Sequence, residues 1–186
     1  MSILSASTSV AKNDEEKSAL QAWYWYDWAN QAFALTVLTV VVPALTASMY
    51  NTATGTQTGD SFYALVLGVS SLFVAVVSPV LGAIADRIEI KKKILWAYTI
   101  VGVIFTAMMG LAPFLGEGTD YMFLAVCLVI GNIGFAGGNV IYYAFMPYVT
   151  SKEDADHVSS WGYAYGFMGG STIPVSYTHL TLPTKA

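Results

Sequence analysis

The sequence has little charge and a single cysteine. Lys, Arg, Asp and Glu make up 11% of the 186 residues, and hydrophobic residues make up 55%. A soluble domain carries roughly 25% charged residues, and a soluble core cannot absorb this apolar excess. The single cysteine, Cys127, excludes a disulfide framework and a cysteine-based metal set. The composition therefore predicts a protein that lies in the lipid bilayer.

Basic residues are absent from every second segment between the apolar runs. None lies around Asp60 or between Glu117 and Asp120. Up to residue 173 they occur only before the first run (Lys12, Lys17), between the second and third (Arg87, Lys91, Lys92, Lys93) and after the fourth (Lys152). This alternation follows the positive-inside rule and predicts a multi-pass protein with a cytoplasmic N-terminus. The adjacent lysines are then a topology signal, so we expect no nucleic-acid partner.

The apolar runs predict an all-α membrane bundle. A helix needs about 20 apolar residues to cross the hydrocarbon core. The sequence predicts spans over about 28–50, 62–85, 94–115 and 121–148, and a partial fifth helix over 158–173. Residues 1–22 lack the apolar core of a cleaved signal peptide and are expected to form a flexible cytoplasmic tail.

The last residues differ in composition from the rest of the chain. Residues 174–186 contain two prolines, a histidine and a lysine where a span should continue. The string from Val175 to Thr184 is similar to the translated read-through of a sequencing adapter. We therefore expect residues 174–186 to be a non-native tail, and the natural protein to extend beyond Ile173. The alternative is a real, short, polar external tail.

Small residues recur at helical spacing in three of the predicted helices. Such stripes let backbones approach closely where lipid supplies no hydrophobic drive, so they are predicted to be helix-packing faces. The stripes are Gly68, Ser71, Ala75, Ser78 and Gly82; Gly131, Gly134 and Gly138; and Gly162, Gly166 and Gly170.

Polar residues inside the first and fourth helices are the candidates for a substrate or proton pathway. Asp27, Asn30 and Gln31 share one helical face by their spacing, and Asn132 and Asn139, seven residues apart, share another. A carboxylate deep in the membrane costs about 2.5 to 3.5 kcal/mol and would need a partner or a function. Asp27 lies near the interface, where this cost is smaller. The asparagines have an equally good alternative interpretation as interhelical hydrogen-bonding residues.

Gly82, Asp86 and Arg87 (GAIADR) end the second apolar run. They resemble the G-x-x-x-D-[RK] signature between the second and third helices of the major facilitator superfamily. The resemblance implies that the glycine allows tight packing and that the aspartate helps to latch the cytoplasmic ends of the two halves. Downstream the match fails at Glu89 and Ile90, and basic charge recurs one or two positions later.

Two further motifs narrow the resemblance to one branch. The first helix opens with Tyr26, Asp27, Trp28, Ala29 and Asn30, and the fifth with VSSWGYAYGFMGG, in which Trp161 stands where a glycine is usual. Both resemble the branch of unknown major facilitators that is related to fungal vacuolar effluxers. The resemblance implies a twelve-span fold whose first and fourth helices line a central cavity. It also implies alternating access, and a small-molecule cargo that is an amino acid coupled to protons.

These residues predict a transporter of the prokaryotic cell membrane. This chain is expected to be a fragment of that transporter and not to transport alone. The alternative is a small multi-pass scaffold that would oligomerise to cover its small-residue stripes. An enzyme has no support, because the sequence shows no nucleophile with a base, no metal-ligand set and no phosphate loop. We expect no cofactor and no metal.

Overall fold

The computed structural model describes the backbone of residues 6–87 and 90–181 and the side chains of residues 6–84 and 90–176. No strand occurs in these residues, so the all-α prediction is confirmed. The helices are α1 (Asp14–Ala32), a π-helix (Phe33–Val41), α2 (Val42–Thr54), α3 (Gly59–Arg87), α4 (Lys91–Met109), a 3₁₀ turn (Ala112–Phe114), α5 (Asp120–Tyr143), α6 (Met146–Val149) and α7 (Ala155–Thr181).

Within the described residues, four helical stretches are long and apolar enough to cross a membrane. They are Asp14–Thr54, Gly59–Ile84, Lys91–Phe114 and Asp120–Tyr143. Each contains most of one of the four spans predicted from the sequence. The fourth ends earlier than predicted, at Tyr143, and the chain forms the short helix α6 before α7 begins.

The first helix begins earlier than predicted, at Asp14, so residues 14–22 are helical and not part of a flexible tail. The reason is a strong N-terminal cap. The side chain of Asn13 accepts a hydrogen bond from the backbone N–H of Glu16 at 2.8 Å. The Glu16 carboxylate in turn accepts from the backbone N–H of Lys12, also at 2.8 Å. The Tyr24 hydroxyl also donates to the carbonyl of Ser7 at 3.0 Å, which joins the preceding segment to α1.

The π-helix between α1 and α2 has a local cause in Pro43. Proline has no N–H and its ring clashes with the carbonyl four residues earlier, here that of Thr39. The wider π turns end at Val41, just before this proline. Within them, the Thr39 hydroxyl donates to the carbonyl of Ala34 at 2.9 Å, five residues back. No pattern of apolar residues predicts this change of helix type.

The last helix continues through Pro174 to Thr181, beyond the predicted end at residue 173. Pro79 lies inside α3 in the same way. Prolines are tolerated in membrane helices because every other backbone group still gains from internal hydrogen bonding. Whether residues 174–186 are native is not decided by this helix, and their non-native origin stays a prediction.

The chain divides into two compact units. The first comprises the residues up to Val41 and those from Met146 onward, and so contains α1, the π-helix, α6 and α7. The second comprises Val42–Phe145 and contains α2 to α5. In the first unit α1 packs along α7, and in the second α5 packs against both α3 and α4.

The second unit is held together by close backbone contact between α4 and α5. A Cβ atom added to Gly134 would lie 2.6 Å from the backbone nitrogen of Gly102 and 2.7 Å from its Cα. At one end of the unit, the ring of Tyr50 stacks on Phe62 at 4.6 Å. Tyr121 meets both rings edge-on, at 5.3 and 5.6 Å. The glycine contact and the aromatic cluster together fix α5 against its neighbours.

We predict that Gly134→Ala destabilises the protein, because the added methyl meets rigid backbone. Overpacking of this kind costs about 1 to 3 kcal/mol, which thermal unfolding in detergent micelles will show as a lower midpoint. The matched control is Gly68→Ala on α3, where no atom lies within 4 Å of an added Cβ. Its midpoint should stay unchanged or rise slightly, because alanine favours helix more than glycine does. An equal decrease of the unfolding midpoint in the two variants would contradict the close contact between Gly134 and Gly102.

Candidate functional site

Glycines on one face of α7 let α1 approach closely. Gly162, Gly166, Gly169 and Gly170 are all buried. A Cβ atom added to Gly162 would lie 2.5 Å from the Trp23 ring. The same addition would meet the main chain of Trp28 at Gly169, and the side chain of Leu35 at Gly170. This face includes the glycine stripe predicted for the fifth helix, and the structure adds Gly169 to it.

Asp27 lies within this contact. Its side chain is 5% exposed, and Oδ2 lies 2.7 Å from the position of an added Gly166 Cβ. Its other carboxylate oxygen, Oδ1, is buried and has no hydrogen-bond partner within the described part of the chain. A buried carboxylate without a full set of partners is costly in its charged form. Such a residue in a membrane helix is a functional-site hypothesis on physical grounds alone.

Aromatic rings surround this part of the contact. Tyr24 of α1 stacks on Tyr165 of α7 with ring centroids 5.2 Å apart. Trp25 meets the same Tyr165 edge-on at 5.8 Å and meets Trp28 edge-on, also at 5.8 Å. These rings lie on the same two helices as Asp27 and Gly166 and extend the contact between α1 and α7. The aromatic opening of the first helix thus packs against α7 as well as suiting a membrane interface.

The other two candidates on α1 are less deeply buried. Gln31 is half-buried, and its Cγ lies 2.9 Å from the position of an added Gly166 Cβ. The structure therefore brings the side chains of Asp27 and Gln31 together over one glycine, as their four-residue spacing predicts. Asn30 is also half-buried.

In the second unit Asn132 forms an interhelical hydrogen bond. Its side chain is 4% exposed, and Nδ2 donates to the hydroxyl of Ser70 on α3 at 2.8 Å. The hydroxyl of Ser71 lies further away, at 3.5 Å. The sequence left two interpretations open for Asn132, substrate contact and interhelical hydrogen bonding. This geometry is that of interhelical hydrogen bonding. Asn139 is half-buried on the same helix.

Ser70 is the residue that the sequence reasoning missed. It lies four residues from Val66 and from Val74, and all three are buried. The predicted stripe on this helix took in Ser71 and Gly68, which are exposed, and Ser78, which is half-buried.

The remaining candidates are placed as follows. Gly131 lies against the Met109 side chain and Gly138 is buried on α5. Gly82 lies on α3 with no atom within 4 Å of an added Cβ. The side chains of Asp86 and Arg87 lie outside those described, so the gating motif stays a prediction. In the described residues no three His, Cys, Asp or Glu side chains are grouped to hold a metal ion.

The polar candidates belong to different units. Asp27, Asn30 and Gln31 lie in the first unit, and Asn132 and Asn139 lie in the second. A cavity shared by the two sets, which the facilitator resemblance implies, stays a prediction.

Comparison with known proteins identifies the family. Residues 51–155 match the model of the family described as vacuole effluxer Atg22 like. An uncharacterized MFS-type transporter, YxiO, from Bacillus subtilis (strain 168) is 32% identical over 154 residues, which cover 82% of this chain and 35% of the relative. The chain thus spans about a third of the length of this relative. No solved structure matches the chain.

The family match covers more than half of the chain. It contains Asn132 and the segment around Gly82, but neither Asp27 nor Gly166. The resemblance to the vacuolar effluxer branch of the major facilitators is confirmed by this match and by the bacterial relative. Together with the four helices long and apolar enough to cross a bilayer, it shows an integral membrane protein that belongs to the vacuole effluxer Atg22-like family of major facilitator transporters.

Proposed function

We propose that this chain is the N-terminal part of a secondary transporter that moves a small solute by alternating access. The family is one of effluxers, and the bacterial relative is named as an MFS-type transporter. Because the chain covers 35% of that relative, the rest of the transporter would come from further helices of a longer natural protein. Two halves would then rock about a site near the membrane midplane.

The cargo that we propose is a neutral amino acid whose efflux is coupled to protons. This follows from the resemblance to the vacuolar branch and is supported by the chemistry of the first unit. Asp27 supplies a carboxylate and Gln31 a carboxamide on one face of α1, over Gly166. Such a pair can bind a proton or a polar group of a substrate when α1 and α7 separate.

The observation that carries the proposal is the burial of Asp27 in a helix contact. A purely structural carboxylate in a membrane helix would be expected to have both oxygens in hydrogen bonds or ion pairs. Oδ1 of Asp27 has no hydrogen-bond partner among the described residues, although the side chain is 5% exposed. Because the fold keeps the Asp27 carboxylate where its charged form is costly, we propose Asp27 as the residue that binds and releases the proton.

The second candidate function is a small scaffold that oligomerises, and the exposed apolar surface is compatible with both functions. The outer face of α3 carries large apolar side chains that are about two-thirds exposed, namely Leu65 (64%), Leu72 (66%) and Val76 (68%). Lipid would cover such a face in either case. This surface therefore does not distinguish the two functions. They differ in whether the gene encodes further membrane-spanning helices.

We expect Asp27→Asn in the complete transporter to abolish accumulation of substrate driven by a proton gradient, because an amide cannot carry the proton. Uptake into proteoliposomes with and without an imposed gradient measures this. The matched control is Asp14→Asn, an exposed acid at the start of the same helix, which should retain coupling. Gradient-dependent uptake that survives Asp27→Asn unaltered would rule out the coupling role.

We expect Asn132→Ala and Ser70→Ala to destabilise the protein by similar amounts, and the double variant to cost little more than either. Removal of either partner breaks the same interhelical hydrogen bond, whose coupling energy is expected to lie below about 2 kcal/mol. Thermal unfolding of the four proteins in detergent gives this double-mutant cycle. A large change in the transport KM for Asn132→Ala alone, with unchanged stability, would instead indicate a substrate contact.

We predict that the natural reading frame continues beyond the codon for Ile173 into further apolar spans. A long sequencing read of the source DNA across the codons for residues 173–186 tests this directly. Loss of the string from Val175 to Ala186 in that read supports the transporter. A genuine stop codon after Ala186 would contradict it and favour the oligomerising scaffold.

A further inference from the structure

We infer that Gly166 is a positioning residue for the Asp27 carboxylate, an inference that rests on the coupling role proposed above for Asp27. The two residues lie on different helices of the same unit. A Cβ atom at position 166 would lie 2.7 Å from Oδ2 and 3.3 Å from Cγ of Asp27. Both distances are too short for ordinary contact, so the carboxylate occupies space that any other residue at 166 would fill.

Gly166 differs from the other glycines of the same face in what it meets. Gly162 meets the ring of Trp23, Gly169 the main chain of Trp28, and Gly170 the side chain of Leu35. Those three contacts need only a close approach of the two helices, which is the general use of small residues in membrane packing. Gly166 alone of these four lies against a group that can bind a proton.

The position of Gly166 determines which oxygen of Asp27 remains available. Oδ2 lies against the α7 backbone, and Oδ1 is buried with no hydrogen-bond partner within the described part. A methyl group at position 166 would displace the carboxylate or separate α7 from α1. Either change would alter the site where a proton is bound and released, without removing the carboxylate itself.

Apart from the two neighbours of Gly166 in the chain, the three described atoms nearest to an added Gly166 Cβ belong to Asp27 and Gln31, so no other titratable side chain lies as close. Tyr24 and Tyr165 stack on each other. Asp156 and His157 lie at the start of α7, roughly two and a half turns before Gly166, and Tyr148 of α6 is exposed. The carboxylate of Asp27 is thus the acidic group that Gly166 can position.

The test compares Gly166→Ala with Gly162→Ala in the complete transporter reconstituted into liposomes. Both substitutions add one methyl group to the same face of α7, 2.7 and 2.5 Å respectively from a side chain of α1. Two rates are measured for each variant: accumulation driven by an imposed proton gradient, and exchange of labelled for unlabelled neutral amino acid without a gradient.

We expect Gly166→Ala to lower gradient-driven accumulation by about tenfold to a hundredfold, the loss that misplacing a functional group by about an ångström can cause. The rate of exchange without a gradient should fall much less than the rate of accumulation. Gly162→Ala should lower both rates in parallel, since it affects only packing. Equal ratios of the two rates in both variants would overturn the inference and leave Gly166 a packing residue.

Two further variants separate the possible failures. Asp27→Asn tests the proposed function itself: if it leaves accumulation intact, the coupling role fails. If it abolishes accumulation while Gly166→Ala behaves like Gly162→Ala, the positioning role alone fails. Should Gly166→Ala not fold, Asp27→Glu takes its place, because the longer side chain keeps the acid but moves the carboxylate from its position against Gly166. Normal coupling in Asp27→Glu would also overturn the inference.

Discussion

The structure depends on how closely helix backbones can approach each other in a bilayer. Lipid is as apolar as leucine, so helices gain nothing by simply hiding apolar side chains from it. Association must come from close contact and from interhelical hydrogen bonds. Glycines provide that contact in both units: the main chain of α1 approaches Gly169 of α7, and the main chain of α4 at Gly102 approaches Gly134 of α5. Other side chains at these positions would have to push the helices apart.

The same close packing gives the two buried polar residues opposite situations. Asn132 of α5 reaches Ser70 of α3 and forms a hydrogen bond at 2.8 Å. Asp27 is held against Gly166, and its Oδ1 has no hydrogen-bond partner among the described residues. An amide that is paired can serve structure alone, whereas a carboxylate left with an unpartnered oxygen is costly to keep. This difference is why the transport hypothesis centres on Asp27.

Composition and spacing were sufficient to predict the four spans, the glycine face of the fifth helix, and the shared face of Asp27 and Gln31. They could not show which face of α3 is buried, because a membrane helix is apolar all round. Val66 and Val74 are buried while Leu65 and Leu72 are exposed, although all four are equally suited to lipid. Ser70 was therefore missed and Ser71 chosen. Side-chain capping at Asn13, which starts α1 early, is likewise a local effect that hydropathy does not report.

The prolines show how strongly the bilayer favours continuous helix. In a soluble protein, a proline commonly ends or kinks a helix because it lacks an N–H and its ring clashes with the carbonyl four residues earlier. In hydrocarbon no solvent is available, and stopping the helix would leave several more groups unsatisfied. Pro79 lies inside α3, which is long and apolar enough to cross the bilayer, and the helix continues through it. Before Pro43 the chain widens into π turns instead of breaking. In both places the chain stays helical, as a bilayer requires of a spanning segment.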